Sequence, residues 1–164
     1  MQLRYVHTVV AATLFSVIPV QAQIPNVVEW SGKVNVKSAA YPGEHSSIEV
    51  EAVIQDGWHV YALTQVAGGP TPLRISVGDN RLVELDGTIT GSTPSKQHDT
   101  SFDLETQTYS HSFTVTLPLK VKQDAPAGDA RVPVSIRFQA CSDRTCLPPR
   151  TVQVSVPLQV STTK

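Results

Sequence analysis

The chain has 164 residues, two of them cysteine, with 40% apolar residues; this is enough for one ordinary domain that builds its own core. Thirteen Lys and Arg stand against fourteen Asp and Glu, a formal charge of −1 at pH 7. The signs are scattered, which gives no electrostatic case for nucleic acid or for an anionic membrane surface as a partner.

The leading segment "MQLRYVHT" carries one cation, Arg4, and no acid. It runs into the apolar "VVAATLFSVIPV" and then "QAQ". Val20 and Ala22 suit the small-residue rule for signal peptidase, so residues 1–22 read as a signal peptide cleaved after Ala22. The apolar run is short of the roughly 20 residues a membrane-spanning helix requires. The expectation is an exported, periplasmic domain, Gln23 to Lys164, without membrane insertion of the mature chain.

Alternation then dominates. "SIEVEAVI" sets Ile48, Val50, Ala52 and Ile54 on one face. "SFTVTLPLKV" does so with Phe113 to Val121, "RVPVSIRFQA" with Val132, Val134, Ile136 and Phe138, and "TVQVSVPLQV" with Val152 to Val160. Successive side chains of a strand point to opposite faces, so each run predicts a half-buried strand. "EWSGKVNV", "GWHVYAL", "LRISV" and "NRLVEL" supply shorter ones, separated by turn signals such as "YPGE", "AGGPTP" and "APAGD". Many short strands with turns between them predict an all-β fold, an immunoglobulin-like antiparallel β-sandwich. Trp30 and Trp58 read as core aromatics, His45 and His111 as surface residues. Pro118, Pro133 and Pro157 fall inside strand patterns and should face edges or bulges, because proline donates nothing to a ladder. Gly91 to Gln107 is polar and without alternation, and reads as a long connection.

Cys141 closes one strand pattern and Cys146 opens the next, with "SDRT" between them. Spacing permits a disulfide across a hairpin tip. A brace that short stabilises by roughly 2 kcal/mol in the chain-entropy picture. Arg144 and Arg150 are cations of the kind that favour a reactive thiolate. Residue chemistry thus leaves two readings open, a local staple and a redox couple. A metal site using the thiols with His59, His98 or His111 is weaker, since none of these histidines has ligand spacing.

"DGWHVYALTQ", "GGPTPLRISV" and "FQACSDRTCLPPRTVQVSVPL" resemble the amino-terminal periplasmic domain of the DsbD family of thiol:disulfide interchange proteins, from about Val28 to Leu158. The resemblance implies an immunoglobulin-like sandwich with the cysteine pair at one end and no cofactor. It implies electron transfer from a thioredoxin-like donor to exported, disulfide-containing substrate proteins. Carried over by position, Cys146 would form the mixed disulfides and Cys141 would resolve them. His59 and Tyr61 would stand beside the site, with Phe102 as a shielding aromatic of a cap loop and Asp99 as its neighbour. His59 occupies a position that is tyrosine in the best-known member, and the loop between the cysteines is one residue shorter. The chain ends at Lys164 without a membrane or thioredoxin-like domain, so the donor is expected on a separate polypeptide. The alternative, from a different class, is a non-catalytic interaction domain with a hairpin staple.

Overall fold

The structure, a computed structural model, describes residues 24–35 and 39–162. The signal-peptide assignment lies outside the described residues. Within them every regular element is a strand, and every strand pairing between elements is antiparallel.

Two sheets form the body. The first contains β1 (Val28–Val34), β2 (His45–Ile54), β9 (Ser112–Val121) and β5 (Val83–Leu85), with the short β6 (Thr90–Gly91) also against β9. The second orders β12 (Arg150–Val160), β10 (Gly128–Phe138) and β4 (Arg74–Val77). Their apolar faces meet in one core, as the alternation predicts. Ile48, Val50 and Ala52 from β2, Val115 and Leu117 from β9, and Val132, Val134 and Ile136 from β10 are all fully buried. The sheets close tightly at β1. Its Trp30 ring contacts Phe113 at 5.6 Å and Phe138 at 5.1 Å, joining β1 to a strand of each sheet. Gly32 lets β1 lie against β12, since a Cβ there would stand 2.8 Å from Val156 Cγ2.

The three prolines obey ladder logic. The Pro118 carbonyl accepts from Asp86 N, so its nitrogen faces the break between β5 and β6. The Pro133 carbonyl accepts from Gly78 N, just past the end of β4. Pro157 lies on β12, the edge strand of its sheet, two residues from Gln159, whose carbonyl accepts from Ala40 N on the open side. Each missing N–H falls where no strand partner needs it.

A third sheet orders β11 (Ala140–Ser142), β3 (Trp58–Tyr61), β8 (Leu104–Ser110) and β7 (Ser95–Asp99). It is built from continuations of the body. β3 follows β2 after the Gln55–Gly57 turn, where Gly57 takes φ +80. β8 leads into β9 through His111, and β11 follows β10 after a break at Gln139. The third sheet therefore joins the two faces of the sandwich at one end, with β11 crossing from the second sheet to a continuation of the first.

Two expectations are corrected. The 91–107 stretch is not a long connection: it folds as β6 and then the β7–β8 hairpin, registered from Ser95↔Thr108 to Asp99↔Leu104. The buried polar positions of the hairpin are Asp99, Thr106 and Thr108, which do not read as apolar alternation. Cys141 does not close the β10 strand; it lies on the separate β11. Ile136→Ala, at the centre of β10, is expected to cost about 2–5 kcal/mol in urea unfolding. Pro133→Ala, at a position that needs no amide donor, should stay within about 1 kcal/mol.

Candidate functional site: the cysteine pair and its wall

β11 has three paired positions: Ala140↔Val60, Cys141↔His59 and Ser142↔Trp58. Directly opposed residues of an antiparallel pair share a face, so Cys141 and His59 are neighbours. Tyr61, two residues along β3, stands on that face as well. Ala140 and Val60 point the other way into the core, and this anchors the short strand.

Cys141 and Cys146 are joined in a disulfide with Cα atoms 4.0 Å apart. The turn between them is held independently. Ser142 N donates to Thr145 O at 2.8 Å and Leu147 N to Ala140 O at 2.9 Å. The Ser142 hydroxyl oxygen accepts from the amides of Arg144 and Thr145. The two cysteines differ in access: Cys141 is 1% exposed, whereas Cys146 is only partly buried. Arg150 is engaged elsewhere, with its guanidinium 5.1 Å from the Phe138 ring centre and donating to Asn26 Oδ1. Arg144 lies exposed on the turn.

His59 and Tyr61 meet edge-on, ring centres 5.3 Å apart. The buried Tyr61 donates its hydroxyl hydrogen to Asp99 Oδ2 at 2.6 Å. Asp99 is itself nearly buried, and its Oδ1 accepts from Ser101 N at 2.9 Å. Phe102 packs edge-on against Tyr61 at 5.9 Å. All four neighbours suggested by the resemblance thus gather at one place, with Phe102 reaching it through the tyrosine. A cavity of about 70 Å³ lies between three of them and Cys141; His59, Tyr61, Gln97, Asp99, Cys141 and Asp143 line it. Gln97 and Asp143 were not singled out from sequence. The edge-strand position of Gln97 becomes visible only when the third sheet assembles, and so does the closeness of Asp143 to His59. The "SDRT" turn did carry a signal, since serine that caps its own turn is a common device.

Electrostatically the site is dominated by burial. Desolvation pushes the His59 pKa below its ordinary 6.5, with Asp99 and Asp143 pulling the other way. Burial, and then the bond to Asp99, push the Tyr61 hydroxyl far above its ordinary value, so it remains a donor. His59 Nε2 is buried and has no hydrogen-bond partner. Among the described residues no cluster of three or more His, Cys, Asp or Glu is placed to hold a metal ion, and both sulfurs are committed to each other.

Tyr61→Phe leaves Oδ2 of a nearly buried carboxylate without its donor. It is expected to cost about 1.5–3 kcal/mol in chemical denaturation and to speed amide exchange at Ser101 and Phe102, whose amides bond to Asp99. His59 gives a pH signature. Its folded pKa is depressed, so the unfolded chain binds the extra proton first as pH falls through 6.5. Stability should therefore drop as pH decreases below 6.5. A His59→Gln variant should show a flatter urea midpoint across that window.

The family described as "Thiol:disulfide interchange protein DsbD, N-terminal" matches residues 30–158. The DsbD N-terminal domain of Neisseria meningitidis, in its reduced form, superposes with a TM-score of 0.49 at 18% identity, covering 74% of this chain and 81% of that one. The N-terminal periplasmic domain of ScsB from Proteus mirabilis gives 0.47 at 16% identity, covering 80% of this chain and 45% of that one. No curated protein matches. The family match spans every element from the Trp30 side of the sandwich to Leu158 and encloses the cysteine turn: the chain belongs to the family of DsbD amino-terminal domains, periplasmic domains that relay thiol–disulfide exchange.

Proposed function

We propose that this chain is a periplasmic dithiol–disulfide exchange module that takes electrons from a thioredoxin-like donor and passes them to exported, disulfide-containing proteins. The observation that carries this reading is the unequal access of two bonded cysteines on a turn that does not need their bond. A staple would close a loop already held by two backbone hydrogen bonds and a capping serine. The stabilisation from such a short closure is about 2 kcal/mol.

The chemistry follows from the asymmetry. A donor thiolate attacks Cys146 Sγ, the approachable sulfur. A donor–Cys146 bond forms, the Cys141–Cys146 bond breaks, and Cys141 leaves with the electron pair and takes up a proton. The donor's second thiolate then attacks its own sulfur in the mixed disulfide, which releases Cys146 and leaves the donor oxidised. In the forward half, the Cys146 thiolate attacks a substrate disulfide and one substrate sulfur departs as a thiolate. Cys141 then attacks Cys146, re-forming the internal disulfide and releasing the second substrate sulfur. Two electrons move in each half, and the domain returns to its starting state. His59, Tyr61 and Asp99 line the cavity that Cys141 faces, and Phe102 backs the tyrosine.

Trapping tests this assignment. Cys141→Ser, produced in the periplasm, is expected to accumulate mixed disulfides through Cys146, while Cys146→Ser should accumulate few, because Cys141 is closed off. Equal trapping by both variants would overturn the roles. A double Cys141→Ser, Cys146→Ser variant should remain folded, with no more than about 2 kcal/mol lost. Retained binding of a partner with no exchange by the wild type would instead select the interaction-domain reading.

A further inference from the structure

The wall of the site contains one polar atom without a task. His59 Nε2 is buried and unpartnered, although buried polar groups are hydrogen-bonded as a rule. The residue directly across from His59 on β11 is Cys141, and opposed residues hold their Cβ atoms roughly 4.5–5.5 Å apart. Both residues line the same small cavity. In the disulfide, Cys141 has no proton to offer. In the dithiol it becomes an S–H donor facing an imidazole that lacks a partner.

We infer that His59 is the acid–base group of the exchange reaction, taking the Cys141 proton as that sulfur attacks the mixed disulfide and returning it when the sulfur is released. The inference rests on the exchange reading above. The step balances. The S–H proton of Cys141 passes to Nε2, with Nδ1 carrying the imidazole's own proton. The freed electron pair on Cys141 forms the bond to Cys146 Sγ. The bond between Cys146 and the substrate sulfur breaks, and the substrate leaves as a thiolate. The imidazolium gives its proton to solvent, and on the reverse path imidazolium protonates the departing Cys141.

The competing groups are occupied, or open to solvent where His59 Nε2 is buried. Asp99 accepts from Tyr61 and Ser101 through its two oxygens, and Tyr61 is held as a donor by that same bond. His98 pairs with Asp103 at 3.3 Å on the surface. Asp143 is exposed on the turn. On its other side His59 borders a cavity of about 190 Å³, with Asp56 and His111 at its rim; both are exposed, and this cavity leads the proton to water. The need for a base is physical. Burial disfavours a thiolate at Cys141, and the carboxylates facing the cavity disfavour it further. Desolvation keeps His59 neutral at the pH where it must accept.

The test uses the full, reduced chain and an aromatic disulfide that releases one coloured thiolate per attack. The first release reports Cys146 attack and the second reports resolution by Cys141. His59→Gln is expected to slow the second release by about tenfold or more, with the first unchanged within about twofold. The wild-type second phase should show an inflection below 6.5. The variant's inflection should move to the thiol range, about 8.5 or above. Imidazole added to His59→Gly should restore part of the lost rate. Two clear releases with the second indifferent to His59→Gln overturn the role of His59 and leave the exchange reading intact. Absence of both releases from the wild type removes the exchange reading itself. Should the variants fail to fold, the wild-type profile decides: a second phase with its only inflection in the thiol range excludes His59.

Discussion

The pairing of β11 with β3 is the constraint on which the site depends. It is three residues long, yet it fixes where the cysteine turn lies, which sulfur is covered and what that sulfur faces. Its ends explain why so short a strand holds. Ala140 and Val60 are buried in the core, the Tyr61 amide reaches back to the Gln139 carbonyl, and the Gln139 side-chain oxygen accepts from Thr71 N. The break at Gln139 is thus anchored on both sides. Were β10 to continue straight, Cys141 would extend the β10–β12 ladder instead of standing beside His59.

A second tie sets the other wall. The Tyr61–Asp99 hydrogen bond connects β3, which belongs to the interior, with the end of β7, an edge strand whose other four residues are exposed. Phe102 adds a ring contact to the same tyrosine. The hairpin tip is therefore held at its base by one charge-assisted bond and one aromatic contact, worth a few kcal/mol together at most. The division suits the exchange reading proposed above, in which the covered sulfur keeps one environment and the reachable one is approached.

The legible and illegible parts of this fold divide by physical cause. The four long strands were readable because their inward positions are aliphatic or phenylalanine, and burial at Ile48, Leu117, Val134 and Leu158 follows the pattern. The third sheet was not readable as a sheet. β3 and β11 are too short for a period to register, and β8 turns threonines inward. The cysteine pair was visible at once; the neighbours His59, Tyr61, Asp99 and Phe102 came from a resemblance, and only His59 and Tyr61, two apart on one strand, share a face by spacing. Gln97 is brought in by topology alone, whereas Asp143 comes with the turn between the cysteines. Local pattern encodes each strand, but the register between strands that are distant in sequence assembles the site.

The absence of helix among the described residues bears on the chemistry. In many thiol-based sites a helix N-terminus or an adjacent cation stabilises the thiolate and so lowers the barrier to attack. Here Arg150 is turned to Phe138 and Asn26, and the charged groups lining the cysteine cavity include Asp99 and Asp143. Stabilising a standing negative charge on Cys141 in that setting would oppose the local field. Removing the proton only as the sulfur attacks avoids the charge, because the electron pair enters a bond as it is freed. An imidazole held neutral by burial suits that task. A tyrosine at the same position, with its hydroxyl pKa near 10, could offer a hydrogen bond but would accept no proton near neutral pH. On the reading proposed above, the histidine at position 59 activates the covered sulfur by taking its proton during the attack.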